Sequence, residues 1–234
     1  MKAAHYAGER LLDLLAPPRC INCLVEGTWL CRKCENTWPF YAQRCIRCEK
    51  EQVRGITCDT CRKHTSIAWA ICAGRYQFPA LRRGVRWLKF KGVRPIAPTL
   101  VSQLVPRLTF IAPLPQLAQE AAFVPMPLHT WRLARRGFNQ SEDISQALTA
   151  EIGVPTLSIL SRPKLTQPQS ELPKDLRKQN VSSAFALAEI IPKHIKTIML
   201  VDDVATTGAT LSAAADALHQ SFAGPIWAVT VARG

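Results

Sequence analysis

Eight of the nine cysteines of this chain form four C-x-x-C pairs between residues 20 and 61. Two thiolates separated by two residues turn toward one ion, and four thiolates complete the tetrahedral shell of a zinc ion. Eight thiolates therefore predict two zinc sites. We expect both to be structural, because an all-thiolate shell leaves no open coordination position. The predicted ligands are Cys20, Cys23, Cys31, Cys34, Cys45, Cys48, Cys58 and Cys61.

The spacing of the four pairs does not decide which pairs share an ion. In the simplest arrangement the first two pairs bind one ion and the last two bind the other, but a crossed pairing satisfies the same chemistry. Redox C-x-x-C motifs usually occur singly, so four in series favour metal binding, and their spacing is more typical of zinc than of an iron–sulfur cluster. A segment this short buries only a small core, so the metal is expected to stabilise it.

The chain carries 30 Lys and Arg against 17 Asp and Glu, a formal net charge of +13. A basic surface suits phosphorylated ligands or nucleic acid, although it can equally serve solubility. The stretch 75–94 is basic and contains no acidic residue. Its predicted helix could contact a nucleic-acid backbone, with tryptophans as stacking platforms. In the alternative interpretation these tryptophans, Trp29, Trp38 and Trp87, are core residues.

The chain has no run of about 18 apolar residues, so neither a membrane-spanning helix nor membrane insertion is expected. Residues 1–18 mix charged with apolar side chains and lack the uninterrupted apolar core of a signal peptide. They are predicted to form a short helix that ends before Pro17 and Pro18. The expected location is therefore cytoplasmic.

After residue 66 the pattern changes to alternating strands and helices. This alternation predicts an α/β domain with a mainly parallel sheet. The predicted strands are 67–76, Ala121–Pro125, 156–160, 197–201 and 226–232, and the predicted helices are Pro79–Lys91, 139–152 and 211–220. We expect three parts, namely an N-terminal helix (1–18), a double zinc ribbon (19–66) and an α/β domain (67–234).

The most informative stretch follows the predicted strand 197–201. Two adjacent carboxylates, Asp202 and Asp203, come at its end, where open α/β sheets bind ligands, and a loop of small residues then leads into a helix. Backbone N–H groups at the start of a helix attract phosphate. Carboxylates one step away can hold sugar hydroxyls, directly or through Mg²⁺. The pattern therefore suits a sugar that carries a phosphate at one end.

Together these motifs resemble the ComF/GntX family, which is implicated in bacterial DNA uptake or the use of DNA as a nutrient. The loop resembles the ribose-phosphate loop of type I phosphoribosyltransferases. The resemblance covers nearly the whole chain and includes the paired cysteines. Its other motifs are Leu88-Lys89-Phe90-Lys91-Gly92, Val124-Pro125-Met126-Pro127-Leu128, Arg135-Arg136-Gly137-Phe138-Asn139-Gln140-Ser141 and residues 202–210.

The resemblance implies a type I phosphoribosyltransferase-like fold and a role for each matched residue. Asp202 and Asp203 would hold the ribose hydroxyls of phosphoribosyl pyrophosphate, which binds together with Mg²⁺. The 5-phosphate would lie in a cradle formed by Ala205, Thr206, Thr207, Gly208, Ala209 and Thr210. Candidates for binding the pyrophosphate are Lys89, Arg132, Arg135, Arg136 and Arg177, because basic side chains suit its oxygens. Residues 161–180 match the position of the family's flexible hood.

Two functions remain open at this point. The first is a phosphoribosyltransferase that acts on an unknown acceptor. Thr206 stands where oxopurine-using relatives carry an acidic base, and a threonine cannot act as a general base at neutral pH. The second is a protein of DNA uptake that binds phosphoribosyl pyrophosphate and single-stranded DNA, with the DNA-uptake machinery as partner. A pure adaptor with an inactive pocket is a third interpretation, which the intact loop at 202–210 disfavours.

Overall fold

A computed structural model describes residues 17–111, 114–163 and 184–234 of the chain. Four parallel strands form the central sheet in the order β1-β6-β5-β2, and two short antiparallel strands, β3 and β4, form a second sheet. The strands are β1 (Ile67–Arg75), β2 (Ala121–Pro125), β3 (Leu160–Ser161), β4 (Ala186–Leu187), β5 (Thr197–Ala205) and β6 (Ile226–Arg233). The predicted α/β class and parallel sheet are confirmed.

Three helices position the candidate site. The basic helix is Pro79–Lys91, with the bounds predicted from sequence, the Gln140 helix is Gln140–Ile152, and the loop helix is Ala209–Leu218. The other described helices are Arg32–Asn36, Asp59–Arg62, Ala97–Ser102, Val105–Ile111, Leu114–Glu120 and Thr130–Arg136, with 3₁₀ turns at Val53–Gly55 and Arg94–Ile96.

The central sheet separates two apolar layers, because neighbouring strand residues point to opposite faces. Met199 and Val201 of β5 pack on one face with the basic helix and the Gln140 helix. Ile198 and Leu200 pack on the other face with the loop helix. Both faces are therefore covered, as parallel sheets require.

The predicted end of strand β5 was wrong. Strand β5 does not end at Val201 but continues to Ala205, because its pairing with β6 extends through Asp202 opposite Thr230 and Ala205 opposite Arg233. Strand β2 ends at Pro125, opposite Val201, so pairing with β2 stops where the two carboxylates begin.

The predicted strand at 156–160 is also wrong. Thr156 makes a single bridge to Phe123 of β2, and the chain then turns away. It pairs again only at Leu160 and Ser161, with β4. The apolar residues of this segment, Ile159 and Leu160, are buried against the loop-helix layer rather than in the central sheet.

Among the described residues, no helix combines the length and apolar character needed to cross a membrane. The predicted helix at 1–18 falls mostly outside the described residues.

Candidate functional site

The eight paired cysteines form two clusters of four, and the pairing is sequential. One cluster holds Cys20, Cys23, Cys31 and Cys34, and the other holds Cys45, Cys48, Cys58 and Cys61. The sulfurs of Cys23 and Cys31 lie 3.6 Å apart, and those of Cys48 and Cys58 lie 3.7 Å apart. A tetrahedral zinc ion with Zn–S bonds of about 2.3 Å separates its sulfurs by about 3.8 Å. A disulfide would need about 2.05 Å. The spacing therefore fits four thiolates around one zinc ion.

The electrostatics of each cluster also fit a divalent cation. Desolvation opposes ionisation of Cys20, but backbone N–H groups outweigh it and lower the pKa of this thiol to about 6. The same balance lowers the pKa of Cys45 to about 6. Desolvation and then the neighbouring sulfurs raise the pKa of Cys61 to about 12. Four adjacent thiolates repel one another, so full ionisation requires a bound cation to balance their charge.

The two knuckles that open these clusters are structural copies. In each, the N–H of the first cysteine donates to a backbone carbonyl five residues later, at 2.8 Å for Cys20 and 3.0 Å for Cys45. Each knuckle also contains a non-glycine residue of positive φ, Leu24 and Glu49. The ion pairs Arg19–Glu26 and Arg44–Glu51 join matching positions, with N–O distances of 2.7 and 2.5 Å. We refer to residues 19–26 as the first knuckle and to residues 44–51 as the second knuckle.

The carboxylates of Asp202 and Asp203 lie beyond the end of β2, where the Gln140 helix begins. Asn139 starts this helix by accepting a hydrogen bond from the N–H of Ser141 at 3.1 Å, which places polar side chains of its first turn on β5. The Ser141 hydroxyl donates to Asp202 Oδ1 at 2.9 Å, and the N–H of Asp203 donates to the same oxygen at 2.9 Å. The other oxygen, Oδ2, takes part in neither of these two bonds.

Asp202 titrates near neutrality. Desolvation and then the adjacent charge of Asp203 raise its pKa to about 7, while Lys89 acts in the opposite direction. The folded protein thus binds this proton more tightly than the unfolded chain, whose ordinary value is 3.8. The stabilising effect of that proton is complete below the ordinary value and is lost as the pH rises through about 7.

Asp203 is almost fully buried, with a side chain that is 3% exposed, and it is held by two polar partners. Lys89 Nζ of the basic helix lies 2.7 Å from Asp203 Oδ2. Gln140 Nε2 donates more weakly to Oδ1, at 3.4 Å. Lys89, predicted to contact a pyrophosphate, is therefore paired in this structure with one of the carboxylates predicted to contact the ribose.

The loop after β5 consists of small residues and leads directly into the loop helix. Thr206 and Thr207 are exposed, whereas Ala205 and Gly208 are buried and Ala209 and Thr210 are half-buried. Gly208 has φ +74°, a conformation that favours glycine, and it directly precedes the loop helix. The N–H of Ala209 makes a long hydrogen bond of 3.4 Å to the Thr207 hydroxyl. The loop therefore presents hydroxyls and the start of a helix beside two carboxylates.

The arginines predicted to contact a pyrophosphate differ in burial and in their partners. Arg136 donates to Gln140 Oε1, and burial lowers the pKa of its guanidinium while Asp203 counteracts that effect. Arg132 is half-buried, and Arg135 is exposed and stacks on Trp131 at 5.4 Å from the ring centroid. Arg177 lies outside the described residues, as does most of the predicted hood at 161–180.

Sequence reasoning assigned no role to three residues that the structure places near the carboxylates. Gln140 and Ser141 were noted only as part of a motif, although both bond directly to the acidic pair. Arg162 directly follows β3. Burial, and then the charge of Arg132, lower the pKa of its guanidinium, while Asp202 raises it. Of these three residues, Ser141 was the easiest to predict from the sequence, since a polar residue in the first turn of a helix commonly faces the end of a neighbouring strand.

The three tryptophans considered as stacking platforms pack against the core. Trp29 and Trp87 meet edge to face with centroids 6.1 Å apart, and Trp38 meets Phe78 at 5.0 Å. The ring that the basic helix does expose is Phe90, at 68%. The core alternative is thus the better description of these tryptophans.

Comparison with known proteins gives relatives along most of the chain. Competence protein F of Haemophilus influenzae is 32% identical over 186 residues, which cover 78% of this chain and 75% of that protein. DNA utilization protein YhgH of Salmonella typhimurium is 33% identical over 219 residues, covering 91% and 96%, and YhgH of Escherichia coli is 27% identical over the same length. No protein-family model matches the chain.

Proposed function

Because the chain belongs to the ComF family of competence protein F and YhgH, we propose that it acts in DNA uptake or utilization and binds phosphoribosyl pyrophosphate with Mg²⁺. We further propose that both cysteine clusters hold structural zinc. In this proposal residues 19–66 form a zinc module and residues 67–234 form a phosphoribosyltransferase-like domain.

The juxtaposition of Asp202 and Asp203 with the start of the loop helix is the observation that carries the ligand proposal. Carboxylate oxygens accept hydrogen bonds from ribose hydroxyls and are ligands that Mg²⁺ prefers. Backbone N–H groups at the start of the ten-residue loop helix attract the 5-phosphate. Arg136, which lies within electrostatic range of both carboxylates, supplies positive charge for a pyrophosphate.

Calorimetric titration of the zinc-loaded protein with phosphoribosyl pyrophosphate and Mg²⁺ tests this proposal. We expect saturable binding, and we expect at least a hundredfold loss of affinity in Asp202→Asn/Asp203→Asn, because neutral amides lack the negative charge that attracts Mg²⁺ and are weaker ligands for it. Asp216→Asn, which removes a carboxylate from the loop helix beyond the cradle, is the matched control and should bind like wild type. Equal affinity of the double variant and wild type would remove the site assignment.

The outer face of the basic helix supports a second function, binding of single-stranded DNA. Arg82, Arg86 and Phe90 are exposed and follow one another at four-residue intervals, so they form one stripe along the helix. A cleft of about 330 Å³ lies along this stripe. Four of its seven lining residues are cations and none is acidic. The lining residues are Pro79, Arg82, Arg83, Arg86, Trp87, Phe90 and Lys91. Cations beside an exposed ring suit the backbone and bases of a single strand.

Charge reversal on this stripe should weaken DNA binding. We expect Arg82→Glu/Arg86→Glu to lose at least tenfold in affinity for a single-stranded oligonucleotide, and its salt dependence should become shallower because fewer phosphates are neutralised. The control Lys193→Glu/Lys196→Glu makes the same charge change at two exposed positions elsewhere and should lose less than threefold. Fluorescence anisotropy at several salt concentrations measures both. Equal losses in the two variants would mean that net charge, not this face, governs binding.

A further inference from the structure

The second knuckle touches the loop that we assign to the 5-phosphate. Ile46, between Cys45 and Cys48, is 2% exposed and belongs to the apolar layer of the loop helix. A Cβ atom placed on Gly208 would lie 2.7 Å from Ile46 Cγ1 and 3.2 Å from the Ile46 carbonyl oxygen. The loop therefore has no space between itself and the knuckle, and Ile46 limits how far the loop can move toward the knuckle.

Polar contacts also hold the second knuckle and the residues after Cys61 against β6 and the loop helix. Arg233, at the end of β6, donates to the Ile46 carbonyl at 2.8 Å and lies 3.3 Å from Glu49 Oε1. A few residues after Cys61, Thr65 shares a hydrogen bond of 2.5 Å with Ser212, and the Ser66 hydroxyl donates to Asp216. Arg233 thus joins the second knuckle to β6, and Thr65 and Ser66 join the end of the segment to the loop helix.

The first knuckle makes the corresponding contacts to a different element on the other face of the sheet. Ile21, the counterpart of Ile46, is fully buried and lies 3.5 Å from a Cβ placed on Gly84 of the basic helix. Arg83 donates to the carbonyls of Ile21 and Asn22 at 2.6 and 2.9 Å. Each knuckle therefore sets an isoleucine against a glycine and offers that isoleucine's carbonyl to an arginine, but only the second does so at the ligand loop.

We propose that Ile46 is a positioning residue for the phosphate-binding loop, so that the second zinc cluster forms part of the ligand site while the first supports the basic helix. This inference rests on the proposed binding of phosphoribosyl pyrophosphate. Gly208 precedes the loop helix with positive φ and with no side chain to cap it. The packing of Ile46 against this residue restricts the loop to one conformation, and restricting a loop to its bound conformation strengthens binding.

The paired knuckles supply a matched test. Ile46→Ala and Ile21→Ala remove the same atoms from equally buried positions, so both should lower thermal stability by similar amounts. Only Ile46→Ala should weaken binding of phosphoribosyl pyrophosphate, by about tenfold, whereas Ile21→Ala should change it less than twofold. Ribose 5-phosphate, which carries the same 5-phosphate without the pyrophosphate, should show the same difference. Zinc content is measured in each variant to confirm that both clusters remain loaded.

The outcomes separate this inference from the proposed function. If wild type does not bind phosphoribosyl pyrophosphate, the proposed function itself is wrong. If wild type binds and both alanine variants bind equally well or equally poorly, Ile46 has no positioning role. Should Ile46→Ala fail to fold, Ile46→Val and Ile21→Val provide the same comparison with a smaller change. Ile46→Val should then weaken binding a few-fold while Ile21→Val leaves it unchanged, because valine lacks the Ile46 Cδ1 that lies 3.3 Å from a Cβ placed on Gly208.

Discussion

Replacing Cys48 with serine is expected to remove one zinc ion from the chain and to unfold the segment around the second knuckle. The four sulfurs of this cluster lie within 4.8 Å of one another, so a bound zinc ion would join residues 45–48 directly to residues 58–61. Structural zinc sites contribute folding free energy of order 10 kcal/mol in small metal-binding domains. Wild type should contain two zinc ions per chain by elemental analysis, and Cys48→Ser should contain one. Hydrogen exchange should rise across residues 44–66.

The ninth cysteine provides the control. Cys72 is buried in β1, outside both clusters, and burial raises the pKa of its thiol to about 11. Its sulfur donates to the Gly74 carbonyl at 3.1 Å, a bond that a serine hydroxyl can replace. Cys72→Ser should therefore retain two zinc ions. A Cys48→Ser protein that still binds two ions with wild-type exchange would contradict the assignment of this cluster.

The second large effect is expected at Lys89, whose charge neutralises a buried carboxylate. In Lys89→Met the Asp203 carboxylate would keep only the long bond from Gln140 among its two side-chain partners. Removing one member of a buried ion pair costs about 3–5 kcal/mol because the other charge is left uncompensated. Since the side chain of Lys89 is itself 28% exposed, we expect a loss at the lower end, about 3 kcal/mol, in chemical denaturation at pH 8.

The deficit of Lys89→Met should depend on pH in a defined direction. Lys89 opposes the rise in the pKa of Asp202, so its removal raises that pKa further. The fall in the free energy of unfolding as the pH increases through about 7 is therefore larger in the variant than in wild type. The difference between the two proteins should therefore be larger at pH 8 than at pH 6, because Asp202 loses its proton only as the pH approaches and passes 7. A constant difference across this range would show that the effect is not electrostatic.

Two companion variants complete the test. Lys91→Met makes the same change at an exposed position of the same helix and should alter stability by less than about 0.5 kcal/mol. Asp203→Asn combined with Lys89→Met should recover much of the lost stability, because no buried charge then remains unpaired. A double variant as unstable as Lys89→Met alone would mean that packing of the lysine chain, rather than its charge, accounts for the loss.

Local patterns predicted the elements that local chemistry determines. The basic helix has the predicted bounds, with Pro79 at its start and Gly92 at its end in the left-handed conformation. The cysteine spacing predicted the eight candidate zinc ligands, and the folded chain resolved which four of them lie together. The strand Ala121–Pro125 was also predicted correctly, because it is a short apolar run that ends at a proline.

Features that depend on distant partners could not be read from the sequence. Strand β5 continues through its two carboxylates because β6, more than twenty residues later, keeps pairing with it. The partnership of Lys89 with Asp203 joins residues separated by 114 positions, and no local pattern indicates it. The contact between Ile46 and Gly208 is equally remote, since a buried isoleucine between two cysteines resembles any other small core residue.

The position of β6 has a consequence for the order in which the molecule assembles during synthesis. This strand lies between β1 and β5 in the sheet, yet among the described strands it is the last to leave the ribosome. Arg233, on that strand, reaches back across 187 positions to the second knuckle. The cysteine-rich segment is therefore made first and can bind its metal early, whereas the sheet closes only after the final strand inserts. Such long-range closure slows folding, and a preformed, metal-loaded knuckle offers the arriving strand a rigid surface on which to dock.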